Sequence, residues 1–211
     1  HMWFGDYVTM AWFDDVWTKE VFANYFAARI TEPLFPEVNH ALNSIKNYTA
    51  SALSEDRTAG TKAIRQQLDN LRNAGLIYGN IIYNKAPVMM NKLVEIMGEE
   101  AFRDGIHEYL TTFAYGNATW DDLIAILDAR SDEDLKAFSE VWVNRKGMPH
   151  IAFAEREGVL EIVQRDPLER SLVWPQRFAI TFVGDGWERV EEVNLSIERV
   201  TMPIPEGTQV I

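Results

Sequence analysis

A chain of 211 residues, 47% of them apolar and 12% aromatic, has the material for a substantial core and the length for one or two domains. Its net charge of −12 and pI near 4.8 repel phosphate backbones and anionic lipid headgroups, which are held by clustered Lys and Arg, so nucleic acid is not an expected partner. The absence of cysteine excludes disulfides and thiolate metal sites, leaving His, Asp and Glu to bind any transition metal, and no apolar run approaches the ~20 residues that span a bilayer.

At the start of the chain, His1-Met2 reads as an appended pair, while Trp3-Phe4-Gly5 already reads as folded interior, so the natural protein is expected to continue upstream. From Ala11 to Ile30, the residues Trp12, Phe13, Val16, Trp17, Val21, Phe22, Tyr25, Phe26 and Ile30 recur at helical spacing around most of the circumference, which predicts a helix enclosed by protein. Pro33 and Pro36 interrupt the chain, and a polar helical stretch follows through Ser44. Ser54 to Gly60 reads as a loop, and Thr58 to Asn73 as another helix.

After Gly79 the short apolar segment Ile81-Ile82-Tyr83 leads to Pro87 at a first helical position and to a helix ending at about Met97, before Gly98. Further helices are predicted at Glu99 to Phe113, Trp120 to Ala129 and Asp132 to Asn144. The last two carry the capping-box pairs Thr119 with Asp122 and Ser131 with Asp134. At Gly147-Met148-Pro149 the period changes to alternation. Ile151 and Phe153, then Val159 to Val163, flank the turn-like Glu157-Gly158, and strands are predicted at Gln176 to Val183 and Glu188 to Val200. The expected class is therefore α+β, with a helical part over 1–148 and a small antiparallel β part over 149–211.

Glu20 stands out chemically. Its helical neighbours are Val16, Trp17, Ala23 and Asn24, and an ionised carboxylate buried among such residues needs a metal, a cation or a proton as partner. Read alone it is more simply an ion-paired or edge residue, with Lys19 and Asp15 beside it. The surrounding run from Trp3 to Tyr25, WFGDYVTMAWFDDVWTKEVFANY, changes that reading. It closely resembles the zinc enzymes of the aminopeptidase N and leukotriene hydrolase family. Their pattern is H-E-x-x-H, one variable residue, then W-x-G-(N/D)-x-V-T-x-x-W and onward to a glutamate.

By that resemblance Glu20 is the third zinc ligand. The family places eighteen residues between the second histidine and this glutamate, which puts that histidine at His1; it is either that ligand, with Met2 as the variable residue, or an appended residue with the same number. The first histidine and the catalytic glutamate do not occur in this chain. Zinc held by two imidazoles and a carboxylate polarises a carbonyl and acidifies bound water. With Glu20 and His1 alone, chelation is expected to be too weak to retain the metal, and the 211-residue chain to be inactive.

Tyr83-Asn84-Lys85 resembles the family's Y-x-K-G segment, in which the tyrosine hydroxyl donates to the oxyanion of the tetrahedral intermediate, so the resemblance makes Tyr83 a catalytic residue. Without it, Tyr83 is a core aromatic. Ala86, Pro87, Lys19 and Val21 depart from the pattern. Trp142 to Pro149, followed by Gln164 and Trp174-Pro175, resembles the family's junction between its catalytic and β-sandwich domains. The resemblance thus implies the helical C-terminal half of a thermolysin-like catalytic domain followed by a β-sandwich domain. It also implies a zinc metallopeptidase that removes N-terminal residues from peptides, or a catalytically dead relative serving as a scaffold. His40, His107 and His150 show no ligand spacing.

Overall fold

In the computed structural model, which describes residues 1–211, the chain folds as two units, His1–Gly147 and Met148–Ile211. Helices and antiparallel sheets segregate between them, which is the α+β class. No helix is long and apolar enough to cross a membrane.

The first unit opens with a short strand, β1 (Val8–Met10), paired in parallel with β2 (Gly116–Ala118). This pairing was not predicted, because both strands are only three residues long and β2, Gly-Asn-Ala, carries little local strand preference. The helix expected from Ala11 begins only at Trp17, as α1 (Trp17–Thr31), after a 3-10 turn at Phe13–Asp15. The carboxylates of that turn have distant partners. Asp14 accepts the N–H of Leu68 at 2.6 Å, while Asp15 accepts the N–H of Trp120 at 3.0 Å and pairs with Arg65 at 2.8 Å. Helix α1 buries Trp17, Val21, Phe22 and Tyr25 but leaves Ile30 66% exposed, so protein does not enclose its whole circumference.

Next come α2 (His40–Ser44), a π-helical turn (Ile45–Thr49) and α3 (Ala50–Asp56). Ser54 to Asp56 therefore close a helix rather than belonging to the expected loop. The helix expected over 58–73 does not form; only the 3-10 turn Leu71–Leu76 touches that range. Ile64 and Leu68 supplied its helical spacing and are buried, but the backbone bonds elsewhere. The N–H of Arg65 donates to the carbonyl of Val143 at 3.1 Å, and that of Leu68 to Asp14. Tertiary partners outcompete i→i−4 bonds here.

A second π turn (Ile81–Lys85) runs into α4 (Ala86–Met97), followed by α5 (Glu99–Thr112), α6 (Trp120–Asp128) and α7 (Leu135–Trp142). The Thr119–Asp122 capping box forms in full. At α7 the cap is Asp134, which accepts the N–H of Ala137 at 2.8 Å, and Ser131 instead accepts the N–H of Glu133; the helix is shorter than Asp132 to Asn144 as a result. The Trp17 and Trp120 rings pack at 4.7 Å, and the Trp120 indole donates to Ser139 Oγ at 2.8 Å, which joins α1, α6 and α7.

The second unit holds β3 (His150–Arg156), β4 (Val159–Arg165), β5 (Gln176–Gly184), β6 (Trp187–Leu195), β7 (Arg199–Pro203) and β8 (Thr208–Val210). Two three-stranded antiparallel sheets result, ordered β3-β4-β7 and β6-β5-β8. Glu157 and Gly158, at φ +51° and +76°, make the tight β3–β4 turn. The strand expected over Glu188 to Val200 breaks into β6 and β7, which join different sheets. Gln164 accounts for the break: its buried amide donates to the carbonyls of Leu195 and Ile197 at 3.1 and 2.9 Å and accepts the N–H of Trp174 at 3.0 Å. Leu160 and Ile162 of one sheet share a core with Ile180, Phe182, Val193 and Leu195 of the other.

Two predictions follow from these buried charges. Arg65→Met leaves Asp15 buried with its cation removed and should lower unfolding free energy by about 3 kcal/mol, read as a shifted urea midpoint. In the second unit, burial opposes the charge on Asp166. The Arg170 guanidinium and the N–H groups of Leu168 and Arg170 outweigh it and hold the carboxyl below its ordinary pKa. A carboxyl depressed in the folded state contributes stability above its unfolded pKa and loses it as pH falls through the folded one. Asp166→Asn should therefore destabilise the chain at neutral pH and flatten its acid unfolding below about pH 4, measured by urea midpoints across that range.

Candidate active site

The first eight residues fold back on themselves. The N–H groups of Asp6, Tyr7 and Val8 donate to the carbonyls of His1, Met2 and Trp3 at 3.2, 2.8 and 3.2 Å. Gly5 makes this possible: its φ is +127°, and a Cβ there would come 3.0 Å from the His1 carbonyl oxygen. The turn brings His1 beside α1. Its Nε2 lies 3.3 Å from Glu20 Oε2, while Lys19 Nζ lies 3.8 Å from Glu20 Oε1. The Glu20 side chain is 13% exposed and that of His1 43%. Glu20 also occupies the first turn of α1, where the helix dipole favours a carboxylate. The partner that a half-hidden carboxylate requires is thus cationic on both sides once the imidazole is protonated.

Tyr83 is the middle residue of the π turn Ile81–Lys85. Ile81, Ile82 and Lys85 point inward, whereas Tyr83 is 39% exposed. The N–H groups of Ile82 and Tyr83 both donate to the Gly79 carbonyl at 3.0 Å. The ring of Tyr78 stacks beside that of Tyr83, with centroids 6.3 Å apart. Burial and then the Glu20 carboxylate raise the Tyr83 phenol above its ordinary pKa, with a further contribution from Tyr78; burial and then Glu20 raise Tyr78 as well. Glu20, Tyr78 and Tyr83 therefore share one electrostatic neighbourhood. Ala86 and Pro87, the departures after Tyr83, enter the first turn of α4, and the helix continues through them.

Sequence reasoning missed Tyr78. Its signal was faint, an aromatic ahead of Gly79 with no motif of its own. It also missed Asp56, which pairs with Lys85 out of solvent's reach. The other histidines lie apart: His40 contacts the Phe35 carbonyl at 2.8 Å, His107 is exposed on α5, and His150 opens β3. No group of three or more His, Cys, Asp or Glu side chains in the chain is arranged to hold a metal ion. His1 and Glu20 are two donors, short of the three protein ligands of a catalytic zinc. Further along α1, a cleft of about 320 Å³ is lined by Asn24, Arg29, His40, Tyr48 and Asn91.

Because Glu20 contributes to the raised phenols, Glu20→Gln should lower the pKa of both Tyr83 and Tyr78, leaving the effect of burial and, at Tyr83, that of Tyr78. Titration of the tyrosine Cζ resonances reads this directly, and unmoved values would separate the carboxylate from the phenols.

A family model described as Peptidase family M1 domain matches residues 1–142. Aminopeptidase N of Lactobacillus helveticus is 30% identical over 167 residues, covering 78% of this chain and 20% of that protein. Tricorn protease-interacting factor F2 of Thermoplasma volcanium is 31% identical over 149 residues, covering 71% and 19%. Leucyl aminopeptidase of Saccharolobus solfataricus is 30% identical over 151 residues, covering 72% and 19%. The chain thus spans about a fifth of the length of these relatives. With well over half of its residues matched by that one family model, the chain belongs to peptidase family M1.

Proposed function

We propose that this chain is part of a zinc aminopeptidase, with Glu20 a zinc ligand and Tyr83 the donor to the oxyanion of peptide hydrolysis. In this reading the helical unit is the C-terminal half of a thermolysin-like catalytic domain, and the two-sheet unit is the β-sandwich domain that follows it. The observation that carries the reading is the 3.3 Å approach of His1 Nε2 to the little-exposed Glu20 carboxylate, the two positions at which the family places zinc ligands. Zinc, where a longer protein supplies the H-E-x-x-H ligands, would polarise the scissile carbonyl and acidify a bound water.

The chain's own residues have separable tasks. A phenol can donate to an oxyanion only while protonated, as a tyrosine is at neutral pH, and burial and the Glu20 carboxylate push the Tyr83 phenol further in that direction. Its position on a turn whose neighbours are buried limits the reorganisation needed when negative charge develops. Glu20 brings the negative charge that a dication requires, and its low exposure keeps bulk water from competing for it.

The test is a protein extended to include the H-E-x-x-H segment, assayed for zinc content and for hydrolysis of aminoacyl reporter substrates. The extended protein should retain zinc and hydrolyse them. Tyr83→Phe should cut kcat by about 10²–10³-fold with zinc content unchanged, as removal of an oxyanion donor does. Glu20→Gln should lose the metal, and the 211-residue chain should lose it on dialysis. Absence of zinc from the extended protein would overturn the reading.

One observation favours the rival, a catalytically dead relative that binds partners without cleaving peptides. The Lys19 ammonium lies 3.8 Å from the Glu20 carboxylate, where it opposes the approach of a second cation. In the extended protein, Lys19→Asn should then tighten zinc retention. Full retention before the substitution speaks for the enzyme.

A further inference from the structure

The π turn that carries Tyr83 ends on Lys85, and Lys85 ends on a carboxylate. Asp56 Oδ2 and Lys85 Nζ are 2.7 Å apart with side chains 0% and 1% exposed. Asp56 also accepts the Thr61 hydroxyl, and its Oδ1 accepts the N–H of Gly147 at 3.2 Å, while Lys85 Nζ donates to the carbonyl of the same Gly147 at 2.7 Å. Both polar backbone groups of one residue are thus captured by the two halves of one ion pair. Gly147 sits at φ +87°, a conformation that favours glycine. The end of α3, the end of the π turn and the end of the helical unit meet at this point.

A buried ion pair is a weak device for stability, since an apolar pair of similar volume often does as well; what distinguishes it is direction. Residues two apart on a helical turn lie on nearly opposite faces, so anchoring Lys85 inward aims Tyr83 outward. Tyr83 is itself 39% exposed, and its N–H shares the Gly79 carbonyl with Ile82. Its azimuth is therefore inherited from the turn.

We propose that Asp56, held by the Thr61 hydroxyl, forms with Lys85 and Gly147 a latch that positions the Tyr83 phenol beside Tyr78. They are positioning residues and touch no substrate. The inference rests on the reading of Tyr83 as the oxyanion donor, but its test needs neither zinc nor hydrolysis. Failure of the extended protein to cleave peptides would therefore count against the function and leave the latch readable.

The experiment follows the ring-proton NMR cross-peak between Tyr78 and Tyr83 in the tyrosine-labelled 211-residue chain, alongside the urea midpoint. Lys85→Met and Asp56→Asn should each lower the midpoint and lose the cross-peak. The double variant Lys85→Met with Asp56→Leu leaves no stranded charge and should recover the midpoint without recovering the cross-peak. Thr61→Val removes one hydrogen bond and keeps the pair, so it reports even where the single variants unfold; it should weaken the cross-peak. Recovery of both signals in the double variant would reduce the pair to a structural role and overturn the proposal, as would an unchanged cross-peak in Thr61→Val.

Discussion

The carboxylate of Asp15 is the constraint on which the helical unit depends. It lies at the end of the turn before α1 and binds the N–H that opens α6 and the guanidinium of Arg65, in a segment that forms no helix of its own. Burial pushes its pKa up, and the Trp120 N–H and Arg65 work against that push. Helix α1 starts just after it, at Trp17, whose ring packs against that of Trp120. Asp14 ties the same turn to Leu68, so two adjacent acidic residues, ordinary in a sequence, hold two distant segments, 65–68 and the start of α6, against the turn.

The family relationship and the local geometry bear on different questions. Membership in peptidase family M1 rests on residues 1–142 and says what kind of protein the chain comes from. The geometry says what its own residues can do. Glu20 is flanked by an imidazole and an ammonium, and the phenols of Tyr78 and Tyr83 feel its charge. The anion raises the phenols, and it draws a cation.

The β unit uses a neutral version of the same economy of partners. One glutamine, Gln164, spends its amide on the carbonyls of Leu195 and Ile197 and its oxygen on Trp174. These bonds satisfy backbone groups where the chain leaves one sheet for the other, which is where a single long strand had been expected.

Much of the chain was legible in its sequence because the signals were local. Apolar spacing marked α1, α4, α5 and α6, the Thr119–Asp122 box marked the start of α6, Glu157-Gly158 marked a hairpin, and the run from Trp3 to Tyr25 identified the family. Errors clustered where a helical or strand period coexisted with side chains able to bond the backbone from afar. Ile64 and Leu68 kept helical spacing while Val143 and Asp14 took the amide groups, and Ser131 ceded its cap to Asp134. The β1–β2 ladder joins residues more than a hundred positions apart and left no local trace. What the sequence alone determined was the class of each unit, the family, and that a carboxylate at position 20 needs a partner. Only the tertiary structure decided which partners it has, that Tyr78 accompanies Tyr83, and that Asp56 lies beneath Lys85. Periodicity and capping are properties of neighbouring residues, whereas a buried charge is satisfied by whichever group the fold brings to it.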